Sequence, residues 1–192
     1  MKPMPDPIDL FRAWYGDAAQ TCAEADATVL STVDADGRPS GRYVLLKAVD
    51  QRGFVFYTNL GSRKARALEA NPLAALCFYW PPERQVRVEG RVEMVSDAEA
   101  DAYFATRPRP FQVGAWASSQ SDVLDSRSTL DARVAEAEAR FKDGPVARPP
   151  FWSGYRVVPD AIEFWTRDPA RLHVRERYER TGSAWYVSTL FP

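Results

Sequence analysis

Ser62, Arg63 and Lys64 stand in a row at the head of "SRKARALEANP", a stretch that reads as a short helix with Ser62 as its N-cap and Pro72 just past its end. Two cations in a first turn oppose the helix dipole, where Asp or Glu would be favoured. An anion at that end removes the conflict. Exposed amides, Arg63, Lys64 and the hydroxyls of Thr58 and Ser62 would then form a phosphate cradle. A solvated basic turn fits the same residues. The chain has 21 Arg and only four Lys, and two of the four, Lys47 and Lys64, fall in or beside this cluster, where a compact ammonium suits an anion.

Two further groups have the same character. Lys47 closes the strand-like "GRYVLLK", which also holds Arg42, either as a ligand or as a side chain snorkelling from a strand end. Tyr103 and Arg107 lie four apart before Pro108, so on a helix they share a face and can hold a second anion or simply stack on each other. Near the C-terminus, "ARLHVRERYE" contains His173, the sole histidine, with Arg171 and Arg175 two positions to either side. Read as a strand, this puts Arg171, His173 and Arg175 on one face and Leu172, Val174 and Tyr178 on the other, towards a core. That face is either a solvated charged edge or a site, and an imidazole is the side chain suited to proton traffic near neutrality.

The elements that must position these groups are mostly strands. An amphipathic helix is expected over about 6–24, with Ile8, Phe11, Trp14 and Tyr15 on its stripe. Residues 27–59 read as three antiparallel strands separated by the turns "DADG" and "DQRG". "LAALCFYW" is a buried strand. "RQVRVEGRVEMVS" alternates, with Val86, Val88, Val92 and Met94 on one face, and bends at Gly90. Helices follow at "SDAEADAYFATRP", with Ser96 and Glu99 placed as a capping box, and at "TLDARVAEAEARF". The tail holds strands "FWSGYRVVP", "AIEFWTRD" and "RLHVRERYE", with "AWYVSTLF" as a fourth. Local hairpins and an excess of strands predict one antiparallel barrel or curved sheet with helices outside it.

Composition narrows the function classes. A chain of 192 residues is one domain, able to bury roughly 70% of its unfolded surface. A net charge of -1 provides no field for nucleic acid or anionic membrane. "MKPMPDPIDL" lacks the apolar run of a signal peptide, and "LAALCFYW" is too short to cross a bilayer. Cys22 and Cys77, outside any CxxC spacing, read as reduced thiols of a cytoplasmic protein. With one His and two separated Cys, no conventional zinc site is expected.

Taken together, "RYVLLK", "GFVFYTNLGSRKA", "RQVRVEGRVE", "YFATRPR", "GAWASSQS", "FWSGYRV", "IEFW" and "RLHVR" resemble the pyridoxamine 5′-phosphate oxidase family, from about residue 6 to Pro192 and in the family's order. The resemblance implies an FMN-binding split β-barrel, mainly β with flanking helices and Greek-key-like. It further implies a single domain over 1–192, C-terminal dimerisation and substrate strands over about 150–192, and an obligate homodimer with FMN at the interface.

By the same resemblance, Arg42, Arg63 and Lys64 hold the FMN phosphate, with Thr58 and Ser62 nearby. Residues 42 to 47, Val44, Leu45 and Lys47 among them, line the ring and ribityl chain with Tyr57. Gln85, Gln120, Ser121, Trp165 and Arg175 complete the pocket, partly from the second subunit. Lys47, Tyr103 and Arg107 bind the substrate phosphate, and Arg171 and His173 flank the substrate ring. The implied reaction oxidises pyridoxamine or pyridoxine 5′-phosphate to pyridoxal 5′-phosphate. A hydride passes from the 4′ carbon to flavin N5, and O2 is then reduced to H2O2.

Three features depart from the family pattern. "RPRPFQ" stands where family members usually read "RPRDSQ", so Phe111 replaces a serine that helps hold the substrate phosphate and Pro110 replaces an aspartate. Val174 replaces the aspartate of "RLHDR". With the chain starting close to "DPIDLF", an N-terminal lid carrying Arg and Tyr is expected to be absent. The alternatives are a same-fold flavin oxidase acting on another planar ring, as phenazine-biosynthesis relatives do, and a non-catalytic flavin-binding protein; retention of Arg171 and His173 favours an enzyme.

Overall fold

The computed structural model describes residues 6–192; the first half of "MKPMPDPIDL" lies outside the described residues. Helix α1 spans Pro7–Thr21, three residues shorter than expected at its C-terminal end. The Asp6 carboxylate caps it by accepting from the Ile8 amide at 2.8 Å, and proline at its first position needs no amide partner.

Four strands, not three, follow: β1 (Ala27–Val33), β2 (Pro39–Leu45), β3 (Ala48–Asp50) and β4 (Gly53–Asn59). The extra break falls at Leu46 and Lys47. There the Leu46 amide donates to Asp26 O and the Lys47 amide to Val55 O, so the chain leaves one neighbour for another. Helix α2 (Arg63–Ala70), β5 (Leu73–Trp80) and β6 (Arg84–Met94) match their sequence signals. Met94 does not: it is exposed at the strand end, whereas Val86, Val88 and Val92 are buried.

Helices α3 (Asp97–Thr106), α4 (Arg109–Ala117) and α5 (Arg127–Arg140) cover one side. α4 was not expected, because the preceding helix signal stops at Pro108 and nothing after it reads as a new start. Proline is nonetheless well tolerated in a first helical turn, and that is where Pro110 lies.

The first two of the expected tail strands are one, β7 (Trp152–Thr166), followed by β8 (Val174–Thr181) and β9 (Ala184–Thr189). All pairings are antiparallel, in the order β2-β1-β5-β6-β7-β4-β3, with β8 on β7 and β9 on β8. One edge of β7 pairs with β6. The other pairs first with β4, through Trp152–Val157, and then with β8, through Ala161–Thr166. The sheet thus curls into a half-barrel, and its register shifts at Glu89/Gly90. A Cβ on Gly90 would stand 2.0 Å from the Val158 carbonyl oxygen, so only glycine permits the bend anticipated there.

The main core is aromatic. Phe11 of α1 sits edge-on to Phe54 at 4.8 Å and to Phe78 at 5.0 Å, each such side chain contributing roughly 1.5–3 kcal/mol by burial. A second cluster of Phe104, Val113, Ala137, Val146 and Trp152 fastens α3, α4 and α5 to the start of β7. Among the described residues no helix is long and apolar enough to cross a membrane.

Candidate active site

At the end of β4 the Asn59 side chain accepts from the Gly61 amide at 2.8 Å, and the turn delivers Ser62 to cap α2 by accepting from the Ala65 amide at 3.4 Å. Lys64, only 8% exposed, folds back over this turn. Its Nζ donates to Thr58 Oγ1 (3.1 Å), Ser62 Oγ (3.4 Å) and Gln120 Oε1 (3.0 Å), all neutral oxygens. Burial, and then the nearby Arg42 charge, lower the Lys64 ammonium to about 8.

Arg42 lies along β1, donating to Leu30 O (3.0 Å), Thr32 Oγ1 (2.9 Å) and Ser40 Oγ (2.5 Å). Burial and Arg63 push it down as well. The Arg63 amide donates to Ser121 Oγ at 3.2 Å. Ion pairs are plentiful elsewhere, yet among the described residues none involves Arg42, Arg63 or Lys64. Three neighbouring cations without a carboxylate leave positive charge that an anion would balance.

Beside this cradle opens a cavity of about 760 Å³ lined by Val44, Leu45, Lys47, Tyr57, Thr58, Lys64, Tyr103, Arg107 and Gln120 of the expected set. Arg42, Ser62, Arg63 and Ser121 adjoin it without lining it. At its far end the Tyr57 and Tyr103 rings stack at 4.0 Å, and Tyr57 also lies parallel to Trp152 at 5.3 Å. Gly154 makes room for this, since a Cβ there would meet the Tyr57 ring at 2.7 Å. Arg107 rests over Trp152, 4.8 Å from its ring centre. Its buried Nη1 has no hydrogen-bond partner, and burial lowers the pKa of its guanidinium. A desolvated guanidinium with a free N–H offers a donor that an anion would satisfy. Lys47 differs from the others: its Nζ is already paired with Asp26 at 2.7 Å. Phe111 is 61% exposed, so the phenyl lines the cavity rather than plugging it. Trp152, Gly114, Ala115 and Ser118 also line it and were missed; α4, hidden behind its prolines, carries Gly114 and Ala115.

The remaining expected residues form a separate group, none of which lines this cavity. Gln85, Trp165 and Arg175 stand in one cross-strand row on β6, β7 and β8. Arg175 is held by the buried Glu163 carboxylate at 2.9 Å, which raises its pKa, and donates to Phe191 O at 3.1 Å.

Arg171 and His173 do not lie on a strand, because β8 begins only at Val174. Arg171 has φ 66°, in the left-handed region, so strand alternation does not govern this segment. Leu172 and Val174 are 69% and 53% exposed instead of facing a core; of the three residues expected inward, only Tyr178 is buried. A turn around Asp168 replaces the strand: its Oδ1 accepts from the Ala170 and Leu172 amides, and its own amide donates to His173 Nδ1 at 3.1 Å. The imidazole packs on Trp165 at 4.6 Å. With Nδ1 accepting, the neutral ring carries its proton on Nε2.

Two family profiles cover most of the chain. The one described as pyridoxamine 5′-phosphate oxidase matches residues 16–141, and the one described as the pyridoxine 5′-phosphate oxidase C-terminal dimerisation region matches residues 152–192. The chain belongs to the pyridoxamine 5′-phosphate oxidase family. Pyridoxine/pyridoxamine 5′-phosphate oxidases from Myxococcus xanthus and Rubrobacter xylanophilus are each 57% identical over 190 residues, covering 98% of this chain and 92% and 88% of the relatives. Among solved structures, PhzG from Burkholderia lata in complex with tetrahydrophenazine-1-carboxylic acid superposes with a TM-score of 0.92 at 36% identity, covering 100% of this chain and 95% of that one. An FMN-binding, pyridoxamine 5′-phosphate oxidase-related protein from Nostoc punctiforme shares the fold at TM-score 0.77 and 17% identity, covering 98% of this chain and 100% of that one. The half-barrel is therefore the split barrel of this oxidase family, and Trp165, Arg171, His173 and Arg175 of the second residue group lie in the segment that the dimerisation-region profile matches.

Proposed function

We propose that the protein is an FMN-dependent oxidase of pyridoxine or pyridoxamine 5′-phosphate, acting as a homodimer and producing pyridoxal 5′-phosphate and H2O2. The observation that carries this reading is the presence of two cationic sites without carboxylates in and beside one cavity. One is the Arg42–Arg63–Lys64 cradle and the other is Arg107 with its free Nη1. Two phosphates, one from the cofactor and one from the substrate, satisfy both. FMN, when bound, accepts the two electrons and passes them to O2.

The chain's own residues bind and orient. The cradle takes the FMN phosphate beside Thr58, Ser62, Gln120 and Ser121, with Val44, Leu45 and Tyr57 along the rest of the cofactor. Tyr103, Arg107 and Lys47 take the substrate phosphate, with Lys47 exchanging Asp26 for it. The Gln85–Trp165–Arg175 row, with Arg171 and His173, faces the cavity of the second subunit. The exposed apolar side chains Tyr43, Leu45, Tyr79 and Val174 fit coverage by that copy. Arg171 supplies charge beside the substrate ring, and His173 donates from Nε2. Half-buried Cys22 and Cys77, both free, fit a cytoplasmic protein.

Phe111 favours a second reading, oxidation of a ring without phosphate, because it places an apolar wall near Arg107, 6.0 Å from the guanidinium. Peroxide release from the FMN-loaded protein, with its mass by light scattering, tests the proposal. Pyridoxine 5′-phosphate should be oxidised well ahead of pyridoxine by a dimer; equal rates, or an FMN-loaded monomer, would contradict it.

The Arg171–His173 segment has its own test. Arg171→Ala should slow anaerobic flavin reduction about tenfold or more, at least about 1.4 kcal/mol in barrier, with FMN content and melting temperature nearly unchanged. Wild-type rates in both Arg171→Ala and His173→Ala would return the segment to a solvated loop.

A further inference from the structure

The helix that presents Tyr103 and Arg107 is held by charge as well as by apolar packing. α3 buries only Ala100 and Phe104. Its acidic side chains are gripped instead: Asp97 and Asp101 by Arg148, at 2.7 and 2.5 Å, and Glu99 by Arg156 at 2.6 Å and Arg52 at 3.2 Å. Arg156 lies on β7, is 1% exposed, and heads the fully buried side chains by volume. Its guanidinium also meets Asp50 of β3 at 2.9 Å and Glu93 of β6 at 3.7 Å. Carboxylates from three elements thus converge on one buried cation.

Such a cluster is a weak source of stability, because desolvation offsets the Coulomb attraction and a packed apolar side chain would serve as well. A planar fork does supply direction. Glu99 is the first of three residues spaced by four, Glu99, Tyr103 and Arg107, that run along one side of the helix to its C-cap. The Glu99 carbonyl also accepts from the Tyr57 hydroxyl at 3.5 Å, and Tyr57 is the ring on which Tyr103 stacks. A rotation or slide of α3 would therefore move both ligands of the second anion site while leaving the α2 cradle in place.

We propose that Arg156 is a positioning residue for the anion end of the cavity, acting through Glu99 and α3 on Tyr103 and Arg107. The inference rests on the reading that this end takes the substrate phosphate. The test uses the FMN-loaded enzyme with Arg156→Lys and Glu99→Gln, and Arg107→Ala as reference. It measures KM and kcat for pyridoxine 5′-phosphate, equilibrium binding of pyridoxal 5′-phosphate, and the FMN Kd. Both positioning variants should raise KM and weaken pyridoxal 5′-phosphate binding about tenfold, with kcat and FMN Kd within about twofold, the signature of a displaced ligand set.

If Arg107→Ala weakens binding while Arg156→Lys and Glu99→Gln bind as wild type, the positioning role is overturned and the phosphate reading stands. If Arg107→Ala itself has no effect, that reading falls and the proposal with it. Parallel losses in KM, kcat and FMN Kd mark general damage to the fold and also overturn the proposal. Should Arg156→Lys fail to fold, Glu99→Gln decides, because its side chain is partly exposed and keeps an acceptor towards Arg156.

Discussion

Replacing Arg63 and Lys64 together by Ala is expected to lower FMN affinity by at least about a hundredfold. Two charge-assisted phosphate contacts are lost, each worth roughly 1.5–3 kcal/mol. The neutral oxygens left around position 64, from Thr58, Ser62 and Gln120, cannot replace a cation. The affinity of the unmutated protein also has a pH signature. In the FMN-free fold the Lys64 proton is lost near pH 8, whereas a bound phosphate dianion keeps it on. Binding above that pH takes up a proton, so affinity falls as pH rises through 8, by roughly tenfold between pH 7 and 9. Over the same window the FMN-free fold gains stability, because the unfolded chain retains a lysine proton that the fold has released. Flavin fluorescence titration at several pH values reads both effects. An unchanged Kd in the double variant would remove the cradle from the site, and a flat profile would show that Lys64 does not meet the phosphate.

The second large effect lies at the other end of the cavity. On the proposed function, Arg107→Ala is expected to lower kcat/KM for pyridoxine 5′-phosphate by roughly thirtyfold, about 2 kcal/mol, the loss of one charge-assisted bond. The guanidinium's Nη1 is buried without a partner before any ligand arrives, so the ligand meets a donor already stripped of water. FMN affinity is untouched, because the cradle is built from other residues. Oxidation of phosphate-free pyridoxine is untouched as well. Steady-state peroxide assays on the two substrates separate these cases, and an equal loss on both would mean that Arg107 supports the cavity wall without reading the phosphate.

What the sequence disclosed depended on how local each signal was. The α2 cap, the Ser96–Glu99 pair and the Gly90 bend are written in residues three or four positions apart, and each was legible. Glu99 was read only as half of a capping box. Its carboxylate in fact meets both the Ser96 hydroxyl, at 3.5 Å, and Arg156, 57 residues away, and no local pattern carries that second contact. α4 was hidden because prolines at a helix start resemble prolines that end one. The start of the 171–179 strand failed for a related reason, although β8 holds the rest of it from Val174. Alternation of Arg, Leu, His and Val reads as a strand, but Asp168 captures the backbone first and forces Arg171 into a conformation no strand contains. The separation of the Trp165 row from the cavity follows from strand order, and only the family resemblance pointed to a second subunit.

The undivided course of β7 decides where this protein can yield. Tyr155–Val157 are paired on both edges, to β6 and β4, and Ala161–Thr166 on both edges, to β6 and β8, so neither stretch can peel away without breaking two ladders at once. The first half of β7 carries Trp152, beneath Arg107, and the second half carries Trp165, beneath His173. Arg107 and His173 thus rest on opposite ends of one continuous strand. The freedom needed for ligands to enter and leave falls to segments that no ladder holds: the turn at 167–173 and the stretch from Arg107 through α4 to Ser121. Those segments bear Arg171, His173, Arg107 and Phe111, whereas Lys47, Tyr103, Arg42, Arg63 and Lys64 lie outside them, and Gln120 and Ser121 reach Lys64 and Arg63 from the end of the second.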